Sequence, residues 1–337
     1  MRDIAEKANV SVATVSRAMR NDPRQSQATR DRIQKLILDL GYSPDPFISA
    51  WVSKRWGRVE RELGTIAWIN IQAGRISWDE FKSGAEARAR QLGYRLEEFK
   101  LKNVDDNIAS LSRILISRGI GGVCIAPLPE KGGLALAWEN FACATIGHSL
   151  EEPHLHRVSP DQSQGMELAL QKLLAAGYRK IGLCLDRRVN IKVNRHWQAR
   201  ALLFAEEHPD CRLSTLMVDK SEPADVLDRW FRRVRPEVIV GSAGFVQGWA
   251  RKVGMEVPIV LLSWTPDERC AGVDERRAEL GGAAVDLVIE QLRRNERGVP
   301  AVPKLVLVEG VWREAVKAGK PGSKTAAMRG QAGLTPR

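Results

Sequence analysis

The sequence predicts an all-α head followed by an α/β body of two lobes, each with a parallel β-sheet. The chain has 337 residues, which is too many for one compact core. In residues 3–40, apolar side chains recur three or four positions apart, which is the spacing of short amphipathic helices. From Leu63 onward, short apolar runs alternate with helical segments, a pattern typical of parallel sheets covered by helices on both faces.

The head contains three predicted helices and one tight turn. The apolar faces of these helices are formed by Ile4, Ala5 and Ala8, by Val12, Val15 and Met19, and by Ile33, Leu36, Ile37 and Leu40. Asn9 is a residue type that tolerates the left-handed conformation of a tight turn. Ser11 then offers a hydroxyl that can cap the next helix. This order predicts a helix-turn-helix, whose second helix enters the major groove of DNA with its N-terminus first.

The body is predicted to bind a ligand at the ends of its strands. Strand-like runs include GTIAWINI, VCIAPL, CATIG, KIGLCL, STLMVD, VIVGS and PIVLLS, with helical segments between most of them. In parallel α/β sheets, ligands bind outside the carboxyl ends of the strands. We therefore expect a small molecule to bind in a cleft between the two lobes.

Basic residues are concentrated at the two ends of the chain. Residues 1–60 carry eleven Lys and Arg against seven Asp and Glu, and residues 315–337 carry five basic residues and no acidic one. A basic head favours contact with a phosphate backbone. We predict a DNA-binding head over residues 1–46, a hinge over 47–62, the two-lobed domain over 63–317 and a basic, disordered tail over 318–337.

The sequence predicts neither an enzyme nor a membrane protein. It has no apolar run long enough to span a bilayer, no secretory signal, no P-loop and no GxSxG or HExxH motif. The five cysteines are far apart, which favours buried thiols in a reducing compartment. His154 and His156 are interpreted as a surface pair in a loop, not as a metal site. We expect a cytoplasmic protein without catalytic residues, metal or cofactor.

The segment DIAEKANVSVATVSRAMRN, followed by QATRDRI and LGYSPD, resembles the head of the LacI/GalR (lactose-repressor) family of bacterial transcriptional regulators. The resemblance is strong in the head and looser over the rest of the chain as far as Glu314. It implies a repressor that binds a pseudo-palindromic operator in double-stranded DNA as a homodimer. It also implies a small-molecule effector, foremost a carbohydrate, that changes the affinity for DNA.

The resemblance assigns DNA contacts to positions in the head. Val12, Ala13 and Arg17 are implied to face base edges, where a guanidinium can pair with guanine and small apolar side chains can touch a thymine methyl. Contacts that bind phosphates or set the docking angle are implied for Thr14, Ser16, Arg20, Asn21, Ser26, Thr29 and Tyr42. Contacts of this second kind set affinity more than sequence choice.

The head and the hinge depart from the family pattern. Asn9 replaces the usual glycine of the turn, and Arg20 replaces an asparagine after the recognition helix. In the hinge YSPDPFISAW, Trp51 stands where relatives carry a leucine that wedges into the minor groove. Trp51 is apolar but bulkier than leucine, so the sequence leaves open whether this hinge kinks DNA.

The body resembles the periplasmic-binding-protein fold, in which two lobes close on a ligand. Effector contacts are implied for Arg75, Trp78, Asp161, Arg195, Trp264 and Asp274. Arg195 stands where relatives bond sugar hydroxyls. Trp78 and Trp264 either stack on an apolar ligand face or pack into the core. Thr265 replaces a carboxylate that relatives use to bind sugar, so we expect the effector chemistry to differ.

Two other functions stay open at this point. The lost sugar-binding carboxylates are consistent with a regulator that binds DNA without any effector. A ligand-binding protein without DNA function is less favoured, because it does not account for the helix-turn-helix head.

Overall fold

The chain divides into two compact units, each built around its own sheet. Unit 1 combines residues 1–159 with 278–306, and unit 2 combines residues 160–277 with 307–337. The computed structural model describes residues 2–19, 25–39, 63–71, 78–103, 108–219, 221–223, 225–242, 244–266 and 268–315. The predicted hinge and tail lie outside these described residues, so their boundaries stay predictions.

The regular elements in the described part of the head are all helices. Its helices are α1 (Arg2–Lys7), α2 (Val12–Met19) and α3 (Gln27–Asp39). The rest of unit 1 contains β1 (Gly64–Ile71), α4 (Asp79–Gln91), β2 (Tyr94–Leu101), α5 (Ile108–Ser117), β3 (Gly122–Ile125), β4 (Gly132–Gly133), a 3₁₀ turn (Trp138–Asn140), β5 (Ala142–Ile146), β6 (Leu150–Glu152), β7 (His156–Pro160), α11 (Arg277–Arg294) and β13 (Leu305–Val308).

Unit 1 has a six-stranded sheet in the order β13-β7-β5-β3-β1-β2. The pairs β1–β2, β1–β3, β3–β5 and β5–β7 are parallel, as the alternating sequence pattern predicts. Six consecutive residues of β1, from Ile66 to Ile71, are buried, because helices cover both faces of a central parallel strand.

Unit 2 has a second six-stranded sheet, in the order β14-β12-β11-β10-β8-β9. Its elements are α6 (Gln162–Ala175), β8 (Lys180–Asp186), α7 (Arg187–Lys192), α8 (His196–Glu207), β9 (Arg212–Val218), α9 (Asp225–Val234), β10 (Val238–Gly241), α10 (Phe245–Lys252), β11 (Ile259–Leu261), β12 (Ala271–Asp274) and β14 (Val311–Arg313). The strands pair in parallel except β14, which runs antiparallel to β12. The parallel-sheet architecture expected for the body is thus present in both units.

The strand β2 was not evident from the sequence. In YRLEEFKL only the terminal residues, Tyr94 and Leu101, are buried. β2 lies at the edge of the sheet, next to β1 alone. An edge strand needs no continuous apolar run, so its polar sequence resembles that of a loop.

The interpretation of His154 and His156 as a surface pair was wrong for His156. This residue begins β7, is only 6% exposed, and its Nδ1 accepts a hydrogen bond from the backbone N–H of Lys304 at 2.9 Å. Burial lowers the pKa of the imidazole, and the nearby charge of Lys304 lowers it further. His156 is therefore a structural residue that joins the start of β7 to the residue that precedes β13.

The cysteines agree with the expectation of buried thiols, with one exception. Cys124, Cys143, Cys184 and Cys211 are buried, and Cys270 is half-buried. Burial raises the pKa of the Cys184 thiol to about 12 and that of Cys270 to about 11. No helix in the described part of the chain combines the length and the apolar content needed to cross a bilayer.

Two glycines let α4 and α11 approach until their backbones touch. A Cβ at Gly281 would lie 1.8 Å from the carbonyl oxygen of Phe81, and one at Gly84 would lie 1.9 Å from that of Ala278. Further along α11, the Gln291 side chain accepts a hydrogen bond from the N–H of Cys143 at 3.1 Å and donates one to its carbonyl at 3.0 Å. The helix is therefore fixed to both α4 and the sheet of unit 1.

We predict that Gly281→Ala destabilises unit 1 by about 1–3 kcal/mol, because the added methyl forces two helix backbones apart. Gly282→Ala is the matched control, since a Cβ there makes only ordinary contacts, with the Arg88 side chain at 3.5 Å and the carbonyl oxygen of Gly84 at 3.8 Å. That control should be neutral or slightly stabilising, as expected for alanine in place of a helical glycine. Urea unfolding midpoints measure both, and equal midpoints for the two variants contradict the prediction.

Candidate DNA-binding head and effector residues

The head is held together by a small core. Its fully buried side chains come from all three helices and the turn, and they are Ile4, Ala5, Ala8, Val15, Ala18 and Ile33. Val10 and Leu36 pack against them while partly exposed. Three of the six buried residues are alanines, so the helices can approach closely, but little apolar area is removed from water. Local hydrogen bonds must therefore contribute to the geometry of this part.

The turn between α1 and α2 has the conformation that the sequence predicts. Asn9 has φ = 49°, in the left-handed region. The N–H of Asn9 donates to the carbonyl of Glu6 at 3.1 Å, and the N–H of Val10 donates to that of Ala5 at 2.9 Å. The backbone thus reverses direction directly after α1 and leads into α2.

Ser11 caps the second helix, as predicted. Its Oγ accepts a hydrogen bond from the N–H of Thr14 at 3.1 Å and shares a second one with the Thr14 hydroxyl at 2.9 Å. The same pair recurs at α3, where Ser26 Oγ accepts from the N–H of Thr29 at 3.3 Å and lies 2.8 Å from the Thr29 hydroxyl. Thr14, Ser26 and Thr29 therefore have structural roles in addition to the predicted phosphate contacts, which stay predictions.

The exposed face of α2 carries the predicted base-reading positions. Val15 and Ala18 are fully buried against the core, whereas Val12 is 42% exposed and Arg17 is partly exposed. Val12 occupies the first turn of the helix and Arg17 its last. This face can offer an apolar surface and a guanidinium to a DNA groove.

The remaining predicted head residues are described only in part. Ala13 and Ser16 lie on α2, and their side chains are outside the described set. Arg20, Asn21, Tyr42 and Trp51 lie outside the described residues altogether. Their assigned contacts with DNA stay predictions.

Arg32 is a head residue that sequence reasoning missed. Its Nη2 donates to the carbonyl oxygen of Ala8 at 3.0 Å, joining α3 to the turn. A lone arginine on an exposed helix face gives no periodic signal in the sequence. The bond between residues 24 positions apart emerges only once the three helices are packed.

In unit 2, two predicted effector carboxylates are engaged by the protein itself. Asp161 caps α6, with Oδ1 accepting from the N–H of Gln164 at 2.9 Å. Asp274 accepts from Nε and Nη2 of Arg313 at 3.0 and 2.7 Å, and its Oδ1 accepts from the N–H of Arg276 at 2.8 Å. Asp274 is thus already paired with Arg313, so a ligand at Asp274 meets a carboxylate that has a partner.

Trp264 belongs to the same cluster as Asp274. Its indole N–H donates to the carbonyl of Cys270 at 3.0 Å, and the guanidinium carbon of Arg313 lies 5.9 Å from its ring centroid. The backbone of Gly272 packs beneath the ring, because a Cβ there would lie 2.9 Å from that of Trp264. One part of the indole is thus packed, while the residue as a whole stays partly exposed.

Arg195 has an unusual backbone conformation at the start of α8. Its φ is 58° and it follows Asn194 at 54°, so two consecutive non-glycine residues are left-handed. The N–H of Arg195 donates to the carbonyl of Asn190 at 2.7 Å, which holds this corner. The residue is exposed, and its guanidinium forms no hydrogen bond or ion pair with any described residue. A left-handed arginine is strained, and such strain is concentrated at functional sites.

Trp78, in unit 1, occupies the N-cap position of α4. It makes no side-chain cap, and its ring packs edge-on against that of Phe81, with centroids 5.8 Å apart. The side chain is half-buried, so it combines core packing with an accessible surface. Arg75 lies outside the described residues.

Glu275 is a buried carboxylate that the sequence did not single out. It is 8% exposed; Oε1 accepts from Gln162 Nε2 at 2.9 Å and Oε2 accepts from Ser263 Oγ at 2.7 Å. Arg277 lies 3.7 Å away. These bonds join residues that follow β11 and β12 to the first turn of α6.

In the described part of the chain, no group of three metal-ligating side chains is placed to hold an ion.

The head matches a known family of bacterial regulatory proteins. Residues 1–45 match the family model "Bacterial regulatory proteins, lacI family". A sucrose operon repressor from Escherichia coli is 31% identical over 186 residues, which is 53% of each chain. The repressor CytR from Escherichia coli K12 is 54% identical over 46 residues, 14% of each chain. The chain thus aligns with about half of the length of the first of these relatives.

The whole architecture also matches solved structures. A lac repressor dimer bound to operator and to the anti-inducer ONPF has a TM-score of 0.55 and 16% identity, with 93% of this chain and 97% of that one covered. At such low identity, the match shows a common fold. That fold includes the head and both parallel-sheet lobes.

We predict that Ser11→Ala weakens α2 by about 1 kcal/mol, because a helix N–H loses its cap. In hydrogen exchange of the full chain, peptides covering residues 12–19 should lose protection. Ser26→Ala is the matched control, since the same loss should appear at α3 instead. If neither variant changes the exchange of its own helix, the capping role is refuted.

Proposed function

Since this chain belongs to the LacI family of bacterial regulatory proteins, we propose that it is a sequence-specific DNA-binding repressor of transcription. The observation that carries the proposal is the geometry of α2. Its N-terminus is capped by Ser11, its inner face is buried, and its outer face presents Val12 and Arg17. A recognition helix needs this division between a packed face and a face that is free to enter a groove.

The protein acts as a homodimer on a pseudo-palindromic site in this proposal. A head of three short helices offers few contacts, so two heads related by a two-fold axis are needed for a specific site. The lac repressor of similar fold is a dimer on its operator, which supports this arrangement. The proposed place of action is the cytoplasm, where bacterial DNA lies, and the family's role as regulators favours binding over catalysis.

A small-molecule effector, foremost a carbohydrate, modulates DNA affinity in this proposal. The name of a similar protein, the sucrose operon repressor, supports a sugar as the effector. Arg195 is exposed at the start of α8, which follows β8 and the short helix α7, and Trp264 follows β11 in the same unit. Guanidinium and indole groups together suit the hydroxyl edge and the apolar face of a sugar ring.

A regulator without any effector is the second candidate. Asp161 caps a helix and Asp274 is paired with Arg313, so two carboxylates that would accept hydroxyl protons are already engaged. This observation favours a body that serves only for folding and dimerisation.

The proposal is tested by selection of bound duplexes from a random pool with the full-length chain at about 150 mM salt. Enrichment of a two-fold symmetric sequence supports a dimeric repressor. Enrichment of one unpaired half-site refutes the dimer, and no enrichment refutes sequence-specific binding.

We predict that Arg17→Ala relaxes preference at one base pair in each half-site, at about 1–3 kcal/mol per contact. Arg20→Ala is the matched control, because it removes the same guanidinium from a position predicted to bind phosphate. That control should weaken binding equally on all sequences. The quantities to measure are dissociation constants for the selected duplex and for its single-base variants. Uniform loss in Arg17→Ala excludes a base-reading role.

We predict that Arg195→Met weakens effector binding at least about tenfold, because a charge-assisted hydrogen bond to the ligand is lost. Tryptophan fluorescence is titrated with sucrose and a panel of mono- and disaccharides. Arg212→Met is the matched control, since it removes an exposed arginine from the amino end of β9. Equal affinities in the two variants exclude Arg195 from the site. A panel that leaves the wild-type fluorescence unchanged favours the effector-free regulator.

A further inference from the structure

We propose that Arg32 is a positioning residue for DNA recognition, which holds the turn before α2 in the orientation that base reading needs. The inference rests on the proposed DNA-binding function. Its structural basis is the hydrogen bond that Arg32 Nη2, on α3, donates to the carbonyl oxygen of Ala8 at 3.0 Å. Arg32 thus donates to the backbone of the head itself.

The acceptor is a carbonyl at the end of α1. Ala8 follows the last residue of that helix, and its N–H still donates to Ile4 at 2.8 Å. Carbonyls at a helix C-terminus accept no hydrogen bond within the helix, and they lie at the negative end of its dipole. Ala8 is only 3% exposed, so little water reaches it. A guanidinium is well suited to this carbonyl, since it adds charge to the hydrogen bond.

The same carbonyl belongs to the peptide unit between Ala8 and Asn9. Rotation of that unit changes ψ of Ala8 together with φ of Asn9, which is 49°. Ser11, the cap of α2, follows two residues after Asn9. By holding the peptide plane, Arg32 stabilises the left-handed turn and with it the angle at which α2 leaves α1.

Arg32 is itself held in place by its neighbour in sequence. Ile33 is fully buried in the head core, so the backbone of α3 is fixed at this point. A planar guanidinium loses less freedom per hydrogen bond than a lysine ammonium. α3 therefore fixes the turn through the Arg32 hydrogen bond.

A small change in the angle of α2 affects the two kinds of DNA contact differently. Base-edge hydrogen bonds depend on direction and distance, whereas long side chains can follow displaced phosphates. Loss of the Arg32 hydrogen bond should therefore reduce specific binding more than non-specific binding. If Arg32 instead bound a phosphate, its loss would weaken specific and non-specific binding alike.

The test compares Arg32→Met with Lys35→Met in the full-length chain. Lys35 is an exposed residue of the same helix, so its variant removes one positive charge from α3 without touching the turn. Dissociation constants are measured between about 50 and 200 mM salt for the selected duplex and for a scrambled duplex of equal length.

We expect Arg32→Met to lower the ratio of specific to non-specific affinity about tenfold relative to Lys35→Met, as loss of one charge-assisted hydrogen bond implies. The salt slopes of the two variants should be equal. The relevant slope is that of the logarithm of affinity against the logarithm of salt concentration. If Arg32→Met makes this slope shallower by about 1 than Lys35→Met does, and weakens binding to both duplexes equally, Arg32 contacts a phosphate and the proposal is overturned. An unchanged ratio overturns it as well.

Hydrogen exchange without DNA decides whether the head stays folded. Faster exchange confined to residues 4–15 in Arg32→Met supports a positioning role, because these residues contain the turn and the start of α2. Loss of protection along all of α3 overturns it, since Arg32 would then support the head as a whole. Unchanged exchange at the turn also overturns it.

Failure of this inference is distinct from failure of the proposed function. If the wild-type chain selects no sequence, the DNA-binding proposal fails, whatever the exchange data show. If the wild type selects a site and both methionine variants keep the same ratio, only the role of Arg32 is refuted.

Discussion

The peptide between Ala8 and Asn9 is the constraint on which the geometry of the head depends. The core of the head is too small to determine the angle between α1 and α2 by apolar packing alone. The left-handed Asn9, the Ser11 cap and the bond from Arg32 act on the same short stretch of backbone. The exposed position of Val12 and Arg17 follows from that stretch, and so does any contact that α2 makes with bases.

Much of this arrangement was predictable, and the reasons are local. A left-handed asparagine and a serine cap act within four residues, so their sequence signals are unambiguous. The parallel strands were recognisable where both faces are covered, and β2 was not, because an edge strand can be polar. His156 and Arg32 were misjudged or missed, since their partners lie far along the chain.

The predicted effector carboxylates show how much the surroundings of a residue add to what its type indicates. Asp161 and Asp274 have the chemistry of sugar ligands, yet one caps a helix and the other is paired with an arginine. Glu275 drew no attention as a residue of the sequence, but it is the buried acid that joins Gln162 to Ser263. A carboxylate's function depends on whether its lone pairs are already occupied, and only packing reveals that.

The division of unit 1 along the chain has a consequence for its biosynthesis. Its sheet requires β13, and α11 must close against α4 through Gly84 and Gly281. Both late elements leave the ribosome after residues 160–277 of the other unit, and domains generally fold as their residues emerge. During translation, the nascent first unit therefore exposes the apolar face that α11 later covers. Truncated products that end before this helix would carry the three-helix head on an unfinished body, and so would be substrates for proteolysis.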